Sequence, residues 1–212
     1  MASVIFMLYA AETWGAAILC AVVFCLAVYP ILCLIEKWRG YTNLFIERKP
    51  GEVKKSLFLL FGTHTAIAAL SFGLLGKPYI AVAAILMWGI GDTAAALVGK
   101  KYDTHHIQLK RADPHKTWEG SAAMAVSSFL TGFAVLLLTS PLASWKCLLF
   151  SLIAAPFSAA TELYSHNGND TASVPIAVAV VLAALCLLSV ALLITERQRR
   201  AEPSTAHLHR SS

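Results

Sequence analysis

The chain has 212 residues, 58% of them hydrophobic and only 14% charged, and its seventeen Lys and Arg outnumber twelve Asp and Glu to give a formal net charge of +5. Soluble domains carry about 25% charged residues, so this composition excludes a water-facing globule. Soluble enzyme folds, DNA-binding modules, nucleic-acid partners and disordered tails go with it, leaving an all-α, polytopic helical bundle that takes the lipid bilayer as its solvent.

A crossing helix needs about 20 mostly apolar residues. Six stretches qualify in chain order: 14–35, 57–75, 79–98, 118–138, 145–160 and 174–194. The fifth is short and contains Pro156, and residues 1–12 are apolar but too few to cross alone. No Lys or Arg precedes the first stretch, so the charged start of a signal peptide is missing. The expected organisation is a single membrane domain ending in a basic, flexible tail over 195–212.

Cations cluster in two connections. Lys37, Arg39, Arg48, Lys49, Lys54 and Lys55 lie between the first two spans, and Lys100, Lys101, Lys110, Arg111 and Lys116 between the third and fourth. Positive charge favours the cytoplasmic side, which puts both connections there. The tail, with Arg197, Arg199, Arg200 and Arg210, asks for the same side, yet six crossings place it opposite. One span is therefore miscounted, re-entrant or insensitive to the rule, and the fifth is the suspect. The five cysteines (Cys20, Cys25, Cys33, Cys147 and Cys186) lie in apolar runs without a CxxC pair, which suits small buried residues rather than a disulfide or zinc framework.

Polar residues inside these runs point to chemistry. Before the second span, Arg48 and Lys49 in a charged turn suit contact with anionic lipid or phosphate, or a plain topology signal; His64 inside that span reads as packing. Asp92 follows in the third span, within Gly89-Ile90-Gly91-Asp92-Thr93-Ala94. An Asp at a helix centre costs about 2.5–3.5 kcal/mol and usually lines a site; on a helix it shares a face with Ala96 and Lys100. The GxGxxA spacing is not a dinucleotide fingerprint, because that motif needs a preceding strand.

The loop 99–117 carries His105, His106 and His115 and runs into Lys116-Thr117-Trp118-Glu119-Gly120-Ser121 at the start of the fourth span. Free N–H groups, a lysine and a hydroxyl at a helix start make a phosphate seat, although Asp113 or Thr117 also suits a plain cap. Between the last two spans, Thr161–Pro175 holds Glu162 at a membrane boundary and Asp170 without local cations. Paired acids of this kind hold Mg²⁺ through oxygen ligands, or the segment is a polar turn.

In order, Gly91-Asp92…Ala95…Gly99-Lys100-Lys101, then Lys116-Thr117-Trp118-Glu119-Gly120-Ser121, then Glu162…Asp170…Val174-Pro175 resemble the polyprenol kinase family, which includes dolichol kinase, phytol kinase and CTP-dependent diacylglycerol kinase. The likeness covers roughly residues 45–180. It departs where Thr171 follows Asp170 instead of Asn, and where Asp103 stands in place of a common Gly. The resemblance implies a membrane enzyme that phosphorylates a lipid alcohol from CTP with a divalent cation such as Mg²⁺. The chain is short for eukaryotic members, which implies a prokaryotic plasma-membrane protein with its site on the cytoplasmic face.

On that resemblance Asp92, Lys116, Glu119 and Glu162 are the catalytic candidates, and Asp92, Glu162 and Asp170 the metal candidates. Gly91, Gly99, Lys100, Lys101, Lys116, Thr117, Gly120 and Ser121 are the nucleotide candidates, and Arg48 and Lys49 the lipid or phosphate contacts. Phosphatidate cytidylyltransferase is similar in the first two motifs, but its C-terminal signature is missing here. A transporter is the alternative of another class; it calls for inverted repeats or paired broken helices, and neither is visible.

Overall fold

The computed structural model describes residues 22–35, 52–102, 105, 107, 116–165 and 169–201. Arg48 and Lys49, residues 14–21 of the first expected span and nearly all of 103–115 lie outside the described residues. A π-helical turn (Phe24–Val28) leads into a short helix, α1 (Tyr29–Ile35). Five long helices follow: α2 (Glu52–Ala68, continued by a π-helical turn Ala69–Leu74), α3 (Pro78–Lys101), α4 (Trp118–Thr139), α5 (Ser144–Tyr164) and α6 (Asp170–Ala201). All five are long and apolar enough to cross a membrane. The fold is an all-α polytopic bundle with no β-strand among the described residues.

Local chemistry sets the helix boundaries. Gly76, at φ 59, turns the chain after α2 in the left-handed region that glycine enters without penalty. Pro78 then opens α3, where its fixed φ suits a helix start and its missing N–H is no loss. Thr117 caps α4, its hydroxyl accepting from the Gly120 N–H at 3.2 Å. Pro156 does not shorten α5, which runs for 21 residues to Tyr164. The fifth span is thus a full-length helix, because a proline in a membrane helix is tolerated where neighbouring helices pack against the freed backbone. Glu162 lies in the last turn of this helix, at its boundary as expected, and Asp170 opens the next.

The expected loose tail begins as helix. Residues 195–201 continue α6, because Glu196, Arg197, Gln198, Arg199 and Arg200 are good or adequate helix formers. Since α6 runs from Asp170 to the opposite end of the bundle, its terminal arginines and the cation-rich α3–α4 connection sit at opposite ends. The fifth segment is therefore not re-entrant, and the tail arginines stand opposite the basic connection, against the side that their charge alone asks for.

Helices α3, α4, α5 and α6 form a ring in sequence, closed by α6 against α3, with α2 lying across α6 and α3. The first half of α3 is buried on every side, from Tyr79 through Ile85, as expected of a helix apolar all round. It packs against Val174, Val178, Leu182 and Cys186 of α6 and Ile67 and Phe72 of α2. Outward-facing residues such as Leu130, Leu138, Leu152, Val180 and Leu188 are more than half exposed, a surface suited to lipid.

The second half of α3 meets α4 through a seam of small residues. A Cβ on Gly91 would lie 2.6 Å from both Met124 Sδ and Ser128 Oγ, and one on Gly120 would lie 3.1 Å from the Ala95 carbonyl. At the next contact a Cβ on Gly132 would lie 2.7 Å from Met87 Sδ. Close backbone approach of this kind drives helix association where no hydrophobic effect acts. Ser128 Oγ donates to the Met87 carbonyl at 3.1 Å and pairs with Ser158 Oγ at 3.1 Å, tying α3, α4 and α5. We expect Gly91→Leu to force this seam apart and lower stability by about 1–3 kcal/mol, read as the thermal midpoint in detergent. An unchanged midpoint would contradict the seam.

Candidate active site

The site forms at the end of the ring where α3 finishes, α4 and α6 begin and α5 finishes. Two backbone pairs hold the approach to α4: the Ile107 N–H donates to the Lys116 carbonyl at 3.0 Å, and the Trp118 N–H to the His105 carbonyl at 3.1 Å. Ile107 is buried and clusters with Leu163 near the end of α5. Lys116 is thereby delivered to the C-terminus of α5, immediately before the capped start of α4.

Lys116 is the hub. Its Nζ donates to the Glu162 carbonyl at 2.7 Å and makes a close ion pair with Glu162 Oε1. Asp170 Oδ2 lies 4.0 Å from the same ammonium. A cation among the last carbonyls of a helix is favourable twice over, as hydrogen-bond donor and against the helix dipole. The pair is sheltered: 17% of the Lys116 side chain and 8% of the Glu162 side chain are exposed. Asp170 is also fixed locally, Oδ1 accepting the Thr171 N–H at 2.9 Å. The α5–α6 connection is drawn tight by Ser165 Oγ and Ser173 Oγ, 2.5 Å apart.

Asp92 approaches from α3. It lies nine residues before Lys101, hence ~13 Å along the axis from that end. The carboxylate is partly exposed and within electrostatic reach of Lys116, Asp170 and Glu162. It makes no hydrogen bond or ion pair among the described residues, and no ion pair joins it to Lys100. Residues 92, 116, 162 and 170, from three separated motifs, therefore share one site.

The other expected residues divide between neighbours of the site and the packing around it. Glu119, in the first turn of α4, pairs with His105 Nδ1 at 2.5 Å; His105 is the one loop histidine whose partner the structure describes. Thr117 is the N-cap, and Ser121 Oγ is buried without a hydrogen-bond partner among the described residues. Gly91, Gly99 and Gly120 stand in the α3–α4 seam, where each allows close packing. Lys100 and Lys101 are exposed at the last turn of α3, with Lys101 Nζ 5.3 Å from the Tyr102 ring centroid. His64 is buried as expected of a packing residue, its Nδ1 donating to the Leu60 carbonyl at 2.7 Å. Cys147 and Cys186 are buried free thiols.

Sequence reasoning missed three contributors: Ile107 as the anchor of the loop, the Glu162 carbonyl as a second acceptor for Lys116, and His105 as the partner of Glu119. An apolar residue in the polar connection 103–115 is the one signal that was available for the first.

Among the described residues no three His, Cys, Asp or Glu side chains come together closely enough to hold a metal ion. The ammonium of Lys116 stands between Glu162 and Asp170 instead. The donors are all carboxylate oxygens, which is the chemistry Mg²⁺ takes. Mg²⁺ is commonly held by one or two carboxylates with other oxygens completing its shell, and the donor chemistry of Asp92 and Asp170 suits such an ion.

No family model matches the chain, and no solved structure matches it. A curated protein, a phytol kinase of Synechocystis sp., is 33% identical over 124 residues, covering 55% of this chain and 52% of that protein. The chain spans about half the length of the curated relative it matches.

Proposed function

We propose that the chain is a lipid-alcohol kinase that transfers the γ-phosphate of CTP, or a related nucleoside triphosphate, to an isoprenoid alcohol such as phytol or a polyprenol, with diacylglycerol as a further acceptor class. The observation that carries this reading is the convergence of Asp92, Lys116, Glu162 and Asp170 on one sheltered site at the end of a membrane bundle. The similarity to a phytol kinase supports the same reading. So does the depth of Asp92 within an apolar helix, which a hydroxyl carried by a bilayer lipid can reach.

Phosphoryl transfer asks the protein for positioning and charge neutralisation more than for covalent chemistry. Lys116, fixed by Glu162, binds the phosphates beside the start of α4. Asp92 orients the lipid hydroxyl and accepts its proton as the oxygen attacks the γ-phosphorus. The bond between the γ-phosphorus and the bridging oxygen breaks, and the nucleoside diphosphate leaves with its new charge facing Lys116. Glu162 is a positioning residue, since it acts through Lys116. Three carboxylates against one ammonium leave the site two negative charges in excess when ionised, repelling a bare triphosphate. Asp92 and Asp170 are the residues that would hold a Mg²⁺ ion, which would supply the offsetting charge when the nucleotide binds.

The cation-rich end faces the cytoplasm on this reading, where nucleotide is available. Purified protein incubated with CTP, Mg²⁺ and a panel of phytol, farnesol, a long polyprenol and diacylglycerol tests it by mass spectrometry of the lipid products. We expect a lipid monophosphate from at least one isoprenoid alcohol. Absence of phosphorylated product across the panel, with ATP also tried, would contradict the proposal.

A further inference from the structure

The opposite end of the bundle carries a second feature that phosphoryl transfer does not use. A cleft of about 230 Å³ opens where α3 begins, α4 gives way to α5 and α6 passes by, lined by Lys77, Tyr79, Lys146 and Ser189 above Leu142 and Leu193. It runs into a furrow of about 380 Å³ along α5 and α6, whose walls include Trp145, Leu149, Ile153, Leu188 and Leu192. Lys146, Ser189 and Leu193 line both, so the polar cleft and the apolar furrow form one channel on the membrane face of the bundle.

The two ammonium groups are held in the manner of interfacial anchors. Lys77 Nζ lies 5.9 Å from the Tyr79 ring centroid and Lys146 Nζ lies 5.5 Å from the Trp145 ring centroid. Aromatic and basic residues together mark the headgroup level. Neither lysine makes an ion pair among the described residues, and that includes Lys146 with Glu196, the carboxylate on the outer rim of the furrow one turn beyond Leu192. Two cations without an ion-pair partner among the described residues, over an apolar furrow of about 380 Å³, match an amphiphile with a phosphate at one end.

We propose that this channel binds one anionic phospholipid of the leaflet at the end of the bundle opposite the active site. Its phosphate sits between Lys77 and Lys146, with Ser189 in reach as a hydroxyl donor, and one acyl chain lies in the α5–α6 furrow. Such a lipid fills the most exposed apolar stretch of α6 and couples the α3 start to the α4–α5 turn. The site is independent of the kinase reading, and its test does not involve turnover.

Purified protein in neutral detergent is titrated with dioleoylphosphatidylglycerol, dioleoylphosphatidylcholine or inorganic phosphate, and followed by thermal unfolding and by native mass spectrometry. We expect phosphatidylglycerol alone to raise the midpoint and to be retained as a single bound lipid. Lys77→Gln with Lys146→Gln weakens its binding roughly thirty-fold, from two lost interfacial charges. Leu192→Trp, which fills the furrow without touching charge, also weakens it. Lys54→Gln with Lys55→Gln, at the other end, leaves it intact. An equal response to phosphatidylcholine, an equal response to inorganic phosphate, a double variant that binds as well as the parent, or a face covered by a second copy of the chain at all lipid levels would each overturn the assignment.

Discussion

Asp92→Asn leaves a folded, membrane-inserted protein whose transfer of phosphate to a lipid alcohol falls by about 10²–10⁴-fold. The two halves of this result come from different physics. Asp92 makes no hydrogen bond or ion pair among the described residues, so its replacement breaks no contact described there. An ionised side chain within a span carries a cost of about 2.5–3.5 kcal/mol that an amide does not, so the thermal midpoint of the variant holds or rises. Asparagine keeps the shape and the hydrogen-bonding reach of the side chain but cannot take the hydroxyl proton. Stability and activity therefore move in opposite directions, which a purely structural aspartate would not produce. Turnover within about threefold of the parent rate would remove Asp92 from the mechanism.

Lys116→Ala has the second large effect, and here both quantities fall. Its loss strands Glu162, whose side chain is 8% exposed, and breaking a buried pair costs about 3–5 kcal/mol. Loss of a fixed donor to the phosphates adds a rate decrease of about 10³-fold. Removing both partners separates these effects. In Lys116→Ala with Glu162→Ala the stranded charge is gone, so stability recovers by most of the loss while turnover stays absent. Thermal unfolding and phosphorylation assays on the same preparations check this. A double variant that regains turnover would reduce the pair to a structural brace.

Much of this arrangement was legible in the sequence. Asp92 stood out because a charge in an apolar run has few reasons to be there, and Lys116, Glu162 and Asp170 stood out by motif. The fold class followed from composition alone, since a chain with 58% hydrophobic residues has no soluble alternative. What the sequence does not encode locally is which absence of a side chain serves which purpose. Gly91, Gly99 and Gly120 suit a phosphate that needs close backbone approach, and equally a helix that needs it. The positions of Met124, Ser128 and Thr117 across the seam show the helix packing these glycines serve, which the sequence does not encode.

The fifth helix was obscured for a similar reason. Pro156 is a helix breaker in water, but inside a packed membrane bundle the helix continues to Tyr164 and carries Glu162 within it. For the tail, charge and crossing count pointed to different sides; with α5 a full-length helix, the arginines ending α6 fall opposite the basic connection, as the crossing count has it. The Glu162 carbonyl as an acceptor for Lys116 leaves no mark in the sequence at all, since every residue has one.

Which phosphorus reaches the lipid separates a kinase from its rivals. Purified protein with Mg²⁺, an isoprenoid alcohol and CTP labelled at either the γ- or the α-phosphate, followed by extraction of the lipid, tests it most directly. The site described here predicts label from the γ-position in the lipid and none from the α-position, with both signals absent in Asp92→Asn. Label from the α-position would make the chain a cytidylyltransferase, and no label from either position would return the bundle to transport or scaffolding.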